Sequence, residues 1–271
     1  MRTYTDPVTG ESYPVIDSRG DVDKCFNNAN DGVSKGLEQR DYAAQGVGSL
    51  PFSAPFDIPE IPRSEWADRI RESEKYQSRL LDVALANSLP RMNQQNTNFC
   101  WINCVINAIH HTRALMGDRT VSLSPASAGG PIKGYRNQGG WPSDGIEYIA
   151  TNGVCPVELW PANAIEKRYD NDESQDARKE FSCTEWYDLK PDNFGQLVTA
   201  LLLGYPVANG RMWWSHATLS LQPVILGSDE IGIMDDNSWG PGFGNKGRFV
   251  LSEKMGQIDG GVALRNSVTL R

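Results

Sequence analysis

Histidine is scarce in this chain: three residues among 271, at positions 110, 111 and 216. Any chemistry that needs an imidazole must draw on one of these three, so elimination becomes practicable. Cysteine is sparse too. Cys25, Cys100, Cys104, Cys155 and Cys183 are an odd number without a Cys-x-x-Cys pair, which argues against a disulfide framework. Cys100 and Cys104 would give a zinc ion two ligands, but no second ligand pair follows at finger-like spacing, so neither a metal nor a cofactor is expected. No run of about 18 apolar residues occurs, and the opening MRTYTDPVTGESYP lacks the basic-then-apolar pattern of a secretory signal. The expectation is a soluble cytoplasmic or otherwise intracellular protein with no membrane partner. Lysine and arginine form no clusters and the net charge is −8, which argues against nucleic acid as the main partner. Internal repeats and low-complexity tracts are also missing.

What is present is ordinary globular composition, 39% hydrophobic and 22% charged, enough for one large domain or two lobes. Peptides or proteins are the expected partners. Residues 1–57 are rich in Gly, Ser, Asp, Asn and Pro, carry short apolar pieces such as YPVI, and end in the proline-marked LPFSAPFDIPEIP. They read as an extended arm, which orders only by burying those apolar pieces, on the rest of the chain or on an assembly partner docking through residues 1–57.

SEWADRIRESEKYQSRLLDVALAN (64–87) predicts one or two helical pieces. From Cys100 to Met116 the apolar residues cover most of a helix circumference and leave a narrow polar stripe at Asn103, Asn107 and His110, with Gly117 as the stop. GGPIKGYRNQGGWPSDG (129–145) reads as a glycine-rich loop and GIEYIATNG as a short helix. Beyond the polar stretch around KRYDNDESQDARKE, LVTALLLG reads as helix, while PVANG, HATLSLQPVIL, EIGIMDDNSW and GRFVLS read as strands.

At the first turn of its helix Cys100 sits in partial positive charge, which favours the thiolate. A lone cysteine on an apolar helix is nonetheless more often a small core residue. A free thiol with pKa of about 8.5 is only slightly ionised at neutral pH, so a nucleophile requires an imidazole beside it. His110 and His111 lie on the same helix, roughly 15 Å along its axis from Cys100, and cannot reach the sulfur. An imidazole base would have to be His216, from WSHATLSL, unless that residue is a satisfied core histidine. An orienting partner for its second nitrogen is available in DDNSW, as Asp235, Asp236 or Asn237, where Asn-Ser also fits plain turn chemistry.

QQNTNFCW, WSHATLSL and DDNSWGPGFGNKGRF, in this order, resemble the papain-like cysteine proteases over residues 58–271. The resemblance implies an α+β, two-lobed fold: a helical lobe over about 95–165, a barrel-like β lobe over about 166–271, and a cleft between them. It implies a cysteine endopeptidase with Cys100 as nucleophile, His216 as general base and acid, Asn237 orienting His216, Trp239 shielding that bond, and Gln94 (or Gln95, one position on) as side-chain donor of the oxyanion hole. Gly139 and Gly140 would line the cleft for an extended peptide, and Ala217 would leave its main pocket open to an apolar side chain.

Departures from the family pattern are equally specific. The family's usual disulfide would join positions occupied here by Thr97 and Asn137, so both halves are missing, as a reducing compartment permits. His216 follows Cys100 by 116 positions, fewer than the roughly 130–150 characteristic of the family. Cys104, one turn on, is expected to be a core thiol. The arm lacks the long charged helices of the family's inhibitory propeptide, so regulation by propeptide removal is not expected. Two other functions suit the same residues: a structural component of a viral particle or other assembly, held by its arm, and an acyl transferase using the Cys/His pair.

Overall fold

A computed structural model describes residues 1–27, 33–40 and 53–268; the arm positions 28–32 and 41–52, including Leu50–Phe52 of the proline-marked stretch, lie outside the described residues. The strands are β1 Thr3–Thr5, β2 Ser12–Ile16, β3 Ser53–Pro55, β4 Ser182–Leu189, β5 Val207–Arg211, β6 His216–Ile225, β7 Ile231–Asp236, β8 Arg248–Leu251 and β9 Gly261–Val268. The α-helices are α1 Arg63–Tyr76, α2 Leu80–Ala86, α3 Cys100–Leu115, α4 Ala126–Ile132, α5 Pro142–Asn152, α6 Asp172–Ala177 and α7 Phe194–Leu202.

α3 is the axle of the fold. Residues 100–112 are buried around its whole circumference, because α5 packs on it from one side and β5, β6 and β9 from the other. The polar stripe predicted at Asn103, Asn107 and His110 therefore does not face water. Asn103 Nδ2 donates to the Phe99 carbonyl, and His110 Nε2 accepts the Leu123 N–H. Gly117, at φ +78°, ends the helix in a conformation that disfavours side chains. The start of the expected glycine-rich loop, 129–132, instead belongs to helix α4. A Cβ on Gly129 would lie 2.9 Å from the Phe99 ring, so glycine lets this helix pack close to the start of α3.

The nine strands run in the order β1-β2-β8-β7-β6-β5-β9-β4-β3. The pairings are antiparallel except at β2–β8 and β3–β4. The order is linear, so the ladder among the described residues does not close as a barrel-like lobe would. Both of its ends are occupied by arm residues: the β1–β2 hairpin extends the sheet from β8, and β3 extends it from β4. This arm is core in part. Tyr13, Val15 and Ile16 have no exposed surface, and Val22 and Cys25 pack with Trp239, Phe243 and Phe249.

β6 alternates in the period expected of a strand buried on both faces. Ala217, Leu219 and Leu221 join the α3 core. His216, Thr218 and Ser220 project the other way, toward a buried network. There Asp235 of β7 accepts from Arg211 (2.7 Å), Ser220 (2.7 Å) and Thr218 (2.5 Å). The network ties β5, β6 and β7 together immediately beside His216 and Asn237. No helix among the described residues is long and apolar enough to cross a membrane.

Candidate active site

Cys100 is the first residue of α3 and has no exposed surface. Its main-chain N–H belongs to the first turn, which has no partner within the helix. The preceding loop is held by Asn137. Asn137 Oδ1 accepts the Asn98 N–H at 2.6 Å, and Asn137 Nδ2 donates to the Asn96 carbonyl at 3.0 Å. Hydrogen bonds thus join the two segments that a disulfide between positions 97 and 137 would join, and all five cysteines are free. Cys104 Sγ donates to the Trp101 carbonyl inside the core, as its position suggested.

His216 opens β6 and Asn237 follows the end of β7. His216 Nε2 and Asn237 Oδ1 are 2.8 Å apart. The same Oδ1 accepts the Ser238 main-chain N–H at 2.7 Å, which fixes it as the oxygen of the amide. Nε2 therefore carries the hydrogen, and the lone pair lies on Nδ1, which is buried and unpartnered. Trp239 stacks on the imidazole with centroids 4.2 Å apart, and Trp214 lies at 4.9 Å, so the Asn237–His216 bond is dry.

Gln94 is fully buried, whereas the alternative Gln95 is exposed. Ser238 Oγ donates to Gln94 Oε1 at 2.6 Å, which turns Nε2 of the amide inward. Gln94 Nε2 donates to the Thr97 carbonyl and, at 3.0 Å, to the carbonyl of Ser34 in the arm. Sequence reasoning did not assign Ser238 a part; its place between Asn237 and Trp239 in the matching block was the available signal.

The largest departure from expectation is where arm residues 33–40 run. They form a strap across this site. The Ser34 carbonyl also accepts from Trp239 Nε1. Leu37 pairs in parallel with Gly140: Gly140 N–H donates to the Gly36 carbonyl at 2.8 Å, and Glu38 N–H to the Gly140 carbonyl at 3.1 Å. Added Cβ atoms would lie 2.5 Å from the Gly36 carbonyl at Gly139 and 2.8 Å from the Trp101 ring at Gly140, so Gly139 permits the approach of the strap and Gly140 the close packing of Trp101. The Leu37 side chain is buried where β5 offers Gly210 and α5 is preceded by Trp141; a Cβ on Gly210 would lie 2.8 Å from Leu37 Cδ1 and 2.7 Å from the Trp141 ring. Ala217 pairs with Gly210 across β5–β6. Ser215, just before His216, holds φ +53° and accepts the Leu37 N–H, a left-handed turn that sequence reading left without a role.

Under the strap the site is electrically neutral. Burial pushes the Cys100 thiol up to about 11, partly offset by main-chain hydrogen bonds from Ala217 and Gly36. Burial pushes His216 down to about 3; the Asn237 bond opposes this, while Lys35 and Arg211 add to it. Sγ meets the Gly36 and Ala217 amides and makes no hydrogen bond to Nδ1.

All three histidines are held below the ordinary value of 6.5, with His110 at about 3 and His111 at about 4, both chiefly through burial. The native state therefore binds fewer protons than the unfolded chain. Stability is full above pH 6.5 and falls as pH drops from there toward the folded values, by about 1.4 kcal/mol per pH unit for each histidine. Denaturant midpoints should fall from pH 7 to pH 5, above the range where carboxylates titrate. A flat profile over that interval would contradict the neutral, buried imidazoles.

No protein-family model and no curated sequence matches the chain. Solved structures do. The digestive procathepsin L 3 of the Tenebrio molitor larval midgut superposes with a TM-score of 0.56 at 19% identity, over 67% of this chain and 68% of its own. Xylellain, a cysteine protease from Xylella fastidiosa, gives 0.53 at 16%, over 65% and 82%. The Amb a 11 cysteine protease, a ragweed pollen allergen in its proform, gives 0.56 at 14%, over 83% and 73%.

The fold is papain-like. Within this papain-like fold hydrogen bonds and ring stacking join His216, Asn237, Ser238, Gln94 and Trp239; the Cys100 thiol meets the Ala217 amide that follows His216, and Gly139 and Gly140 lie against the strap.

Proposed function

We propose that the protein is a cysteine endopeptidase. The observation that carries this reading is the orientation of His216: Asn237 holds Nε2, which leaves the Nδ1 lone pair free and buried, one residue before the Ala217 amide that the Cys100 thiol meets. Once a peptide replaces the strap, Nδ1 takes the thiol proton and Sγ attacks the substrate carbonyl carbon, forming a C–S bond. Negative charge then develops on the carbonyl oxygen. Gln94 Nε2, which already holds a main-chain carbonyl at 3.0 Å, and the Cys100 N–H are its donors. The imidazolium protonates the departing amine as the C–N bond breaks, and His216 next removes a proton from water, which hydrolyses the thioester. Ser238 positions the Gln94 amide and Trp239 keeps water from the His216–Asn237 bond. The position now filled by Leu37 would accept an apolar side chain of the substrate.

A thiol-directed epoxide should attach to Cys100, and mass spectrometry of a digested peptide library should find hydrolysed fragments with no amine conjugates. Conjugated products would move the reading to an acyl transferase. Absence of both products and label from a site with Cys100 accessible would end it.

A further inference from the structure

The strap runs over the nucleophile, with its Ser34 carbonyl on the Gln94 amide at 3.0 Å and its Gly36 amide beside the Cys100 thiol. Gly36 itself is seated so deeply that a Cβ there would lie 1.8 Å from the Asn98 carbonyl oxygen. The segments on either side of the strap in sequence belong to the body. On one side the β1–β2 hairpin is hydrogen-bonded to β8, Asp6 pairs with Arg79 inside the fold, and Phe26 stacks on Trp239. On the other, Arg40 makes a bidentate pair with buried Asp188 (2.6 and 2.7 Å), and β3 lies on β4 with Pro55 opposite that same Asp188. Phe56 then buries its ring against Tyr187.

From this we infer that residues 34–38 are a resident cover of the active site, opened by lifting off the cleft while residues 1–27 and 53–57 stay in the sheet. Cutting the chain does not by itself release such a cover, since β2 and β3 remain in place on both sides. The inference rests on the peptidase reading for its meaning, but the cover is measurable without it.

Hydrogen exchange of the intact wild type should show residues 34–38 protected, though less than β2, since the cover opens while β2 stays paired. Gly36→Val, which cannot fit beside Asn98, should strip protection from 34–38 only. Alkylation of Cys100 by iodoacetamide should then rise roughly tenfold or more, since labelling follows the open population, while the chain stays uncut, its intact mass rising only by the carbamidomethyl group added at Cys100. Leu37→Ser, which empties the apolar position, should act in the same direction. Strap amides that exchange as fast as an unfolded chain in the wild type would overturn the proposal. So would Cys100 that labels equally in all three proteins, or that labels only after residues 1–27 have left the body. If exchange and labelling change as expected and no peptide is cut, the cover stands and the peptidase reading falls.

Discussion

A chain lacking residues 1–27 is expected to yield no stably folded protein. Those residues look dispensable in sequence, being turn-rich and sparsely apolar, but Tyr13, Val15 and Ile16 are fully enclosed and Val22 and Cys25 nearly so. Each fully buried side chain of this kind contributes about 1.5–3 kcal/mol, and five of them together rival the roughly 5–15 kcal/mol by which a whole domain is stable. Deletion also bares the edge of β8 to pairing with other chains and strips Phe26 from the ring that covers the His216–Asn237 bond. Soluble yield and thermal unfolding of the truncated chain measure this. A truncated protein melting within a few degrees of the full chain would show that the hairpin is an accessory.

His216→Ala should lower kcat/KM for peptide hydrolysis by on the order of 10²–10⁴-fold, because it removes the group that takes the thiol proton and returns it to the leaving amine. The loss should fall on kcat with KM nearly unchanged, since the imidazole acts on the reacting bond and not on peptide binding. Asn237→Ala should produce a smaller loss. It leaves the imidazole in place but frees its tautomer, so Nδ1 no longer holds the lone pair in every molecule. Rates unchanged in His216→Ala would remove the proposed base.

The central helix and strands β5 to β8 were legible because their signals are local. α3 is an apolar run with a glycine stop, and β6 alternates Ala217, Leu219 and Leu221 with His216, Thr218 and Ser220. His216 was singled out by arithmetic on three histidines, and the helix does carry His110 and His111 into the core, away from Cys100. Strands β4 and β9 went unread. SCTEWYDL mixes charge with aromatics on the face that packs, and GVALRNSV loses its alternation at Arg265 and Asn266. The arm was illegible for a different reason. Val15 pairs with Val250 across most of the chain, and nothing in a short window encodes so distant a partner. The strap is harder still: Ser34, Gly36 and Leu37 carry no motif, and only the cleft that receives them gives them meaning.

The most direct measurement compares peptide hydrolysis by Gly36→Val with that by Gly36→Val carrying Cys100→Ala, in intact protein at neutral pH. The account predicts that the first cleaves a peptide library, with apolar residues preferred at the position Leu37 now fills, and that the second cleaves nothing. Equal hydrolysis by both, or none by an open variant whose Cys100 alkylates readily, would contradict it.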